Sequence, residues 1–323
     1  MSQEMRTSNR TVPDDARDLT TGLWLGLLGV AIFALTLPVT RLAVGTADAP
    51  QLSGVFIATA RAAIAAVLSL FFLAFTHAPK PARSDWPSLL AVTVGVVFAF
   101  PLFSSIALRH VEAVHASVMT GILPLATAVV GAWLARQRPS PGFWACAALG
   151  SALVIAFALL KNNVPGLRLQ SADVLMLLAC VGAAFGYAHG GRLATRMRAE
   201  HVICWALVLG LPLSLPAALW SWPEQPVAPS AWAGLAYVTL FSQWLGFFAW
   251  YRALALGGTV RVSQVQLMQP FLAMLFAVPL LGESIDAVTW GFGLAVIATV
   301  FIGRRMAVGA PAKTVSVTTG VGR

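Results

Sequence analysis

Long apolar runs, each almost free of charge, alternate along this 323-residue chain with short polar breaks. A helix of roughly 20 apolar residues spans the hydrocarbon core of a bilayer, and inside lipid a helix satisfies its own backbone hydrogen bonds. The pattern predicts helices near 22–43, 52–76, 86–108, 113–134, 141–160, 171–190, 201–220, 230–251, 258–281 and 286–303. Between them stand Pro79 and Pro81, Pro139 and Pro141, Pro165 and Gly166, and Pro223, Pro226 and Pro229, residues that stop helices and start turns. The expectation is an all-α integral membrane protein with ten transmembrane helices, between polar tails over 1–21 and 304–323.

Composition agrees with that picture and charge orients it. Charged residues make up 10% of the chain and apolar residues 58%, against about a quarter charged in a soluble domain. The net charge of +9 raises the question of nucleic acid, but no Lys/Arg-rich face interleaved with aromatics exists, so none is expected as a partner. With the N-terminus inside, 16 of the 21 Lys and Arg fall in cytoplasmic segments. Arg41, Arg109, Lys161 and Arg168 fall opposite, and Arg61 lies within a span. The positive-inside rule then places both termini in the cytoplasm of a multi-pass protein, expected in the cell inner (plasma) membrane, with an even number of spans. Ten of the eleven tryptophans stand near predicted helix ends, at headgroup depth, and Trp244 is the deep exception.

A shift of 146 positions aligns Ala107-Leu108 with Ala253-Leu254, Ser117 with Ser263, Pro124 with Pro270, Leu134 with Leu280 and Trp144 with Trp290, without a gap. The two copies would be residues 22–160 and 171–303. Five helices per copy is an odd number, so the second copy enters the membrane from the opposite side and the repeats are inverted. Inverted repeats can rock about a shared site near the midplane, a physical basis for alternating access.

Trp250-Tyr251-Arg252-Ala253-Leu254, then Gln269-Pro270, then Leu281-Gly282-Glu283 form a span with a central proline followed by Gly-Glu before the last helix. In these residues, and in Arg61 of the second helix, the chain resembles the EamA-type members of the drug/metabolite transporter superfamily. The resemblance implies export or exchange of amino acids and other small metabolites. One departure is Arg136-Gln137-Arg138, where Gln137 aligns with Glu283.

Polar side chains at mid-bilayer depth are expensive and therefore mark candidate sites. Ser263, Gln266 and Pro270 share one helical face by their spacing, with Gln269 a turn beyond Gln266, and Ser117, Thr120 and Pro124 form the corresponding stripe in the fourth helix. The two stripes are expected to face each other across a central cavity, or else to hydrogen-bond neighbouring helices. His189 is the histidine nearest a membrane interior, with a packing role as its alternative. Arg61 either snorkels outward or finds a partner such as a substrate carboxylate. Trp244, with Gln243 and Phe247, suits the wall of an apolar binding site or plain packing.

All twelve Asp and Glu fall in tails or near helix ends, so no carboxylate relay is expected at the midplane and a neutral or zwitterionic small molecule is the expected substrate. HExxH, GxSxG and phosphate-loop patterns are absent, and Asp14 to Asp18 spells a DDxxD only within the polar tail. Cys146, Cys180 and Cys204 form no CxxC pair and read as small core residues. No catalytic residue, metal or cofactor is expected. The expected partners are the lipid bilayer and the substrate, with a homodimer left open. The rivals to an alternating-access exporter or exchanger are a membrane-embedded enzyme and a structural or regulatory membrane protein.

Overall fold

The computed structural model describes residues 12–134, 136, 138–161, 170–303 and 308–309. Gln137 and most of both polar tails lie outside the described residues. The helical rods are α1 (Asp18–Val44), α2 (Gly54–Phe75), α3 (Arg83–Ala107), α4 (Ala113–Leu134), α5 (Pro141–Lys161), α6 (Ser171–Leu193), α7 (Ala199–Trp220), α8 (229–257), α9 (259–281) and α10 (Ala287–Gly303). α1, α2, α3, α4, α6 and α7 are each long and apolar enough to cross a membrane. α9 is broken: Ser263–Met268 winds as a 3₁₀ turn, with Pro270 and Pro279 beyond it. That leaves Gln269–Leu281 as a short apolar α-helix. Apart from helices, the described residues include a two-residue antiparallel ladder that pairs Arg138–Pro139 with Val308–Gly309.

Local chemistry sets the rod ends. Ser53 caps α2 by accepting the Phe56 amide at 3.0 Å, and Asp173 in the first turn of α6 accepts the Gln170 amide at 3.0 Å. Along the rods, apolar side chains face outward as freely as inward. Phe75 is 84% exposed and Trp220 93%, a surface that water would not tolerate in such density and that lipid requires. Trp250 departs from the expected headgroup position: it is fully buried, packed edge-on to Tyr187 at 5.6 Å.

The packing has a regularity. α2 lies on α7, α4 on α9 and α5 on α10, while α1 lies on α8 and α3 on α6. Adding five to each number maps this set of pairs onto itself. π-helical turns interrupt α3 at Thr93–Ala99 and α8 at Val238–Leu245, which the 146-residue shift superimposes almost residue for residue. Small residues permit the closest approaches, as where Gly95 of α3 meets Gly182 and Gly186 of α6.

Candidate functional site

Three hydrogen bonds meet between the first five rods and the last five. Thr36 of α1 and Ser242 of α8 bond through their hydroxyls at 2.8 Å. Arg61 of α2 donates from Nη2 to the Ser242 Oγ at 3.1 Å, and Gln243 donates from Nε2 to the Val96 carbonyl at 3.4 Å. Ser242, Gln243 and Val96 all lie in the π-helical turns. Such turns break the regular ladder and recur at functional sites for that reason.

These groups line one small cavity with Phe33, Phe100, Ala183, Tyr187, Phe247 and Gln269. Its free space is about 10 Å³, room for roughly one water. The polar lining is unusual in what it leaves unpaired. Arg61 is 2% exposed, and its Nε and Nη1 have no hydrogen-bond partner; neither has the Oε1 of Gln269. No carboxylate lines the cavity. Aromatic rings wall the rest, with Phe33 and Phe247 5.0 Å apart.

Of the residues named from sequence, Arg61, Gln243, Phe247 and Gln269 are brought together here. Arg61 does not snorkel, because the Ser242 hydroxyl holds its head inside the bundle. Gln266 lies one turn before Gln269, buried, with neither amide atom paired, and outside the cavity lining. Ser117 and Thr120 are buried and turn their hydroxyls onto their own helix, to Ala113 and Ser117 carbonyls at 2.6 and 2.8 Å. They do not line this cavity, and neither do Pro124, Ser263 and Pro270, all of them buried.

Trp244 packs on Phe72 and Phe248 at 6.0 and 5.2 Å. His189 is only half-buried and bonds Ser88 through Nδ1 at 3.1 Å. It is not the most enclosed histidine: His201 and His115 are 3% and 8% exposed. His115 pairs at 2.7 Å with the fully buried Asp173. Thr36, Ser242, Tyr187, Phe33 and Phe100 were not singled out in the sequence. Their only signal is a hydroxyl or ring inside an apolar run, which many packing residues share.

At one end of the bundle one further contact crosses between the halves, beside two that stay within the first. Glu283, in the α9–α10 connection, accepts the amides of Ala113 and Val114, both at 2.8 Å, at the start of α4. Arg41 donates to the Leu108 carbonyl, and Arg109 to that of Leu52 at 2.6 Å. A cavity of about 460 Å³ opens beside Arg41, Glu112 and Glu283.

Burial pushes the Glu283 carboxyl above the ordinary value of 4.5, and the two amides offset only part of that. The folded protein therefore binds a proton at Glu283 more tightly than the unfolded chain. Its contribution to stability is full below the ordinary value and is lost as pH rises through the raised one. In paired melting curves the difference in Tm, wild type minus Glu283→Gln, is expected to fall as pH rises above the ordinary value of 4.5. A difference independent of pH would contradict this assignment.

The sequence matches the EamA-like transporter family over residues 20–160 and again over 170–304. It is 43% identical over 291 residues to the "Uncharacterized transporter YdeK" of Bacillus subtilis, covering 89% of this chain and 99% of that protein. It is 25% identical over 227 residues to an "Uncharacterized transporter" of Archaeoglobus fulgidus, covering 69% and 78%. A solved crystal structure superimposes with a TM-score of 0.62 at 15% identity, over 88% of this chain and 99% of the other, a likeness of fold.

Proposed function

The chain belongs to the EamA-like transporter family, and from that premise we propose that it is an alternating-access exporter or exchanger of small zwitterionic or neutral metabolites, amino acids first among them. It works across the inner membrane with both termini in the cytoplasm. Ten spans form two inverted five-helix repeats, and the substrate binds between them at the cavity around Arg61.

The carrying observation is that one small cavity, lined by both halves, combines unpaired donors, an unpaired acceptor and apolar walls. A carboxylate suits the Arg61 guanidinium, which keeps unpaired donors at Nε and Nη1, since charge-assisted guanidinium–carboxylate bonds are strong. An ammonium suits the free Oε1 of Gln269. The apolar remainder of the substrate then lies among Phe33, Phe100 and Phe247 as the repeats part, since the present free space is about 10 Å³.

Rocking of the repeats would exchange one sealed end for the other. The Glu283 clamp, with Arg41 and Arg109, is the seal on the outer side in this orientation. On the inner side Glu200 meets Arg198 and Arg252 at 3.7 Å, exposed pairs of little individual strength that part readily. The Thr36–Ser242, Arg61–Ser242 and Gln243–Val96 bonds join the halves around the substrate, so its binding bears directly on their relative position.

Protein reconstituted in liposomes and loaded with a mixture of labelled amino acids is expected to release one or more of them saturably, with or without a pH gradient. Flux that rises linearly with concentration would indicate a pore. Absence of flux for every amino acid would refute the substrate class.

A further inference from the structure

The cavity at Arg61 has a charge that its own helices do not balance. Arginine keeps its proton in proteins even when buried. An unpaired cation in a low-dielectric interior is strongly unfavourable. Arg61 is 2% exposed, and its one hydrogen bond goes to a neutral hydroxyl, Ser242 Oγ, at 3.1 Å. The Nε and Nη1 hydrogens, which leave the guanidinium on different edges, are unpaired.

Nothing nearby supplies a negative charge. Among the described residues the ion pairs His115–Asp173, Arg196–Asp85, Arg198–Glu200 and Arg252–Glu200 all involve other residues, and no Asp or Glu lines the cavity. A water could accept one of the free donors but would leave the charge in place. The free space, about 10 Å³, is on the scale of a single small particle and far short of an organic anion.

We propose that in the substrate-free state the cavity binds one small monovalent anion, chloride in a cell, held at the Arg61 guanidinium, and that the substrate carboxylate takes its place. Charge one matches the single guanidinium. Size disfavours sulfate or gluconate far more than a halide. The displacement rests on the transport reading above; the halide site itself does not, because it is required by the cavity alone.

Purified full-length protein, melted in chloride, bromide or gluconate at equal ionic strength, tests this. Wild type is expected to gain Tm saturably with chloride and bromide relative to gluconate. Arg83→Gln, which removes an exposed arginine, is expected to keep that gain, and Arg61→Gln to lose it. Arg61→Lys keeps the charge without the guanidinium donors and is expected to bind chloride at least tenfold more weakly. Equal melting of wild type in chloride and gluconate, or a chloride gain unchanged in Arg61→Gln, overturns the proposal. Amino-acid flux without a chloride effect sinks the halide site while the transport reading stands. A chloride effect that depends on Arg61, in protein that moves no amino acid, establishes the site and sinks the transport reading.

Discussion

Arg61→Gln is expected to weaken binding of a carboxylate-bearing substrate by about 30-fold or more. Removing one partner of a buried charge-assisted contact costs roughly 2–5 kcal/mol, and about 1.4 kcal/mol is a factor of ten. In gluconate, where no halide balances Arg61, the same change removes an uncompensated buried cation, so the Tm of the substrate-free protein should hold or rise there. That opposition separates a binding role from a packing role. If Arg61 served the fold, affinity and Tm would fall together. Arg61→Lys should fall between, because an ammonium is a point charge without the planar two-donor edge. Binding titrations with parallel melting curves read both quantities.

The second large effect concerns the contact between α3 and α6. A Cβ placed on Gly95 would sit 2.1 Å from the Gly182 carbonyl oxygen. That neighbour is backbone, which cannot rotate away, so the helices would have to part. Overpacking a close contact costs about 1–3 kcal/mol and sometimes more. Gly95→Ala is therefore expected to lower Tm by several degrees or to prevent recovery of monodisperse protein. Gly291→Ala is the control, since nothing lies within 4 Å of a Cβ there. It should be neutral or slightly stabilising, because alanine is the better helix former. Equal behaviour of the two variants would show that the Gly95 contact is looser than described.

Much of this architecture is written in the hydropathy of the chain, because a bilayer imposes a length and an apolarity that few soluble helices meet. α1 to α4, α6 and α7 stand out on that ground. The α9 region is harder to read, since a 3₁₀ turn and two prolines divide it, and hydropathy does not register how a backbone is wound. The 146-residue echo is weak in identity, yet it superimposes two π-helical interruptions that have no obvious residue signature.

The site was legible in part for a similar reason. Arg61, Gln243 and Gln269 are conspicuous because they are expensive in lipid. Ser242 and Thr36 are not, since a hydroxyl inside a helix usually bonds back to its own carbonyls, as Ser117 does. Which hydroxyl looks across to another helix depends on how the rods are rotated against each other, and spacing within one helix does not fix that. The buried His115–Asp173 pair escaped notice because both residues stand at helix starts, where a polar side chain ordinarily reaches water.

Alternating access at the cavity is the claim to which the rest is tied. Phe100, which lines it without a polar contact of its own, offers a probe: Phe100→Cys in protein whose three native cysteines are replaced, treated with a membrane-impermeant thiol reagent from either side. Labelling is expected from the outside in intact cells and from the inside in inverted vesicles, slowed in both by transported amino acid. Labelling from one side only, whatever the substrate, would contradict the account.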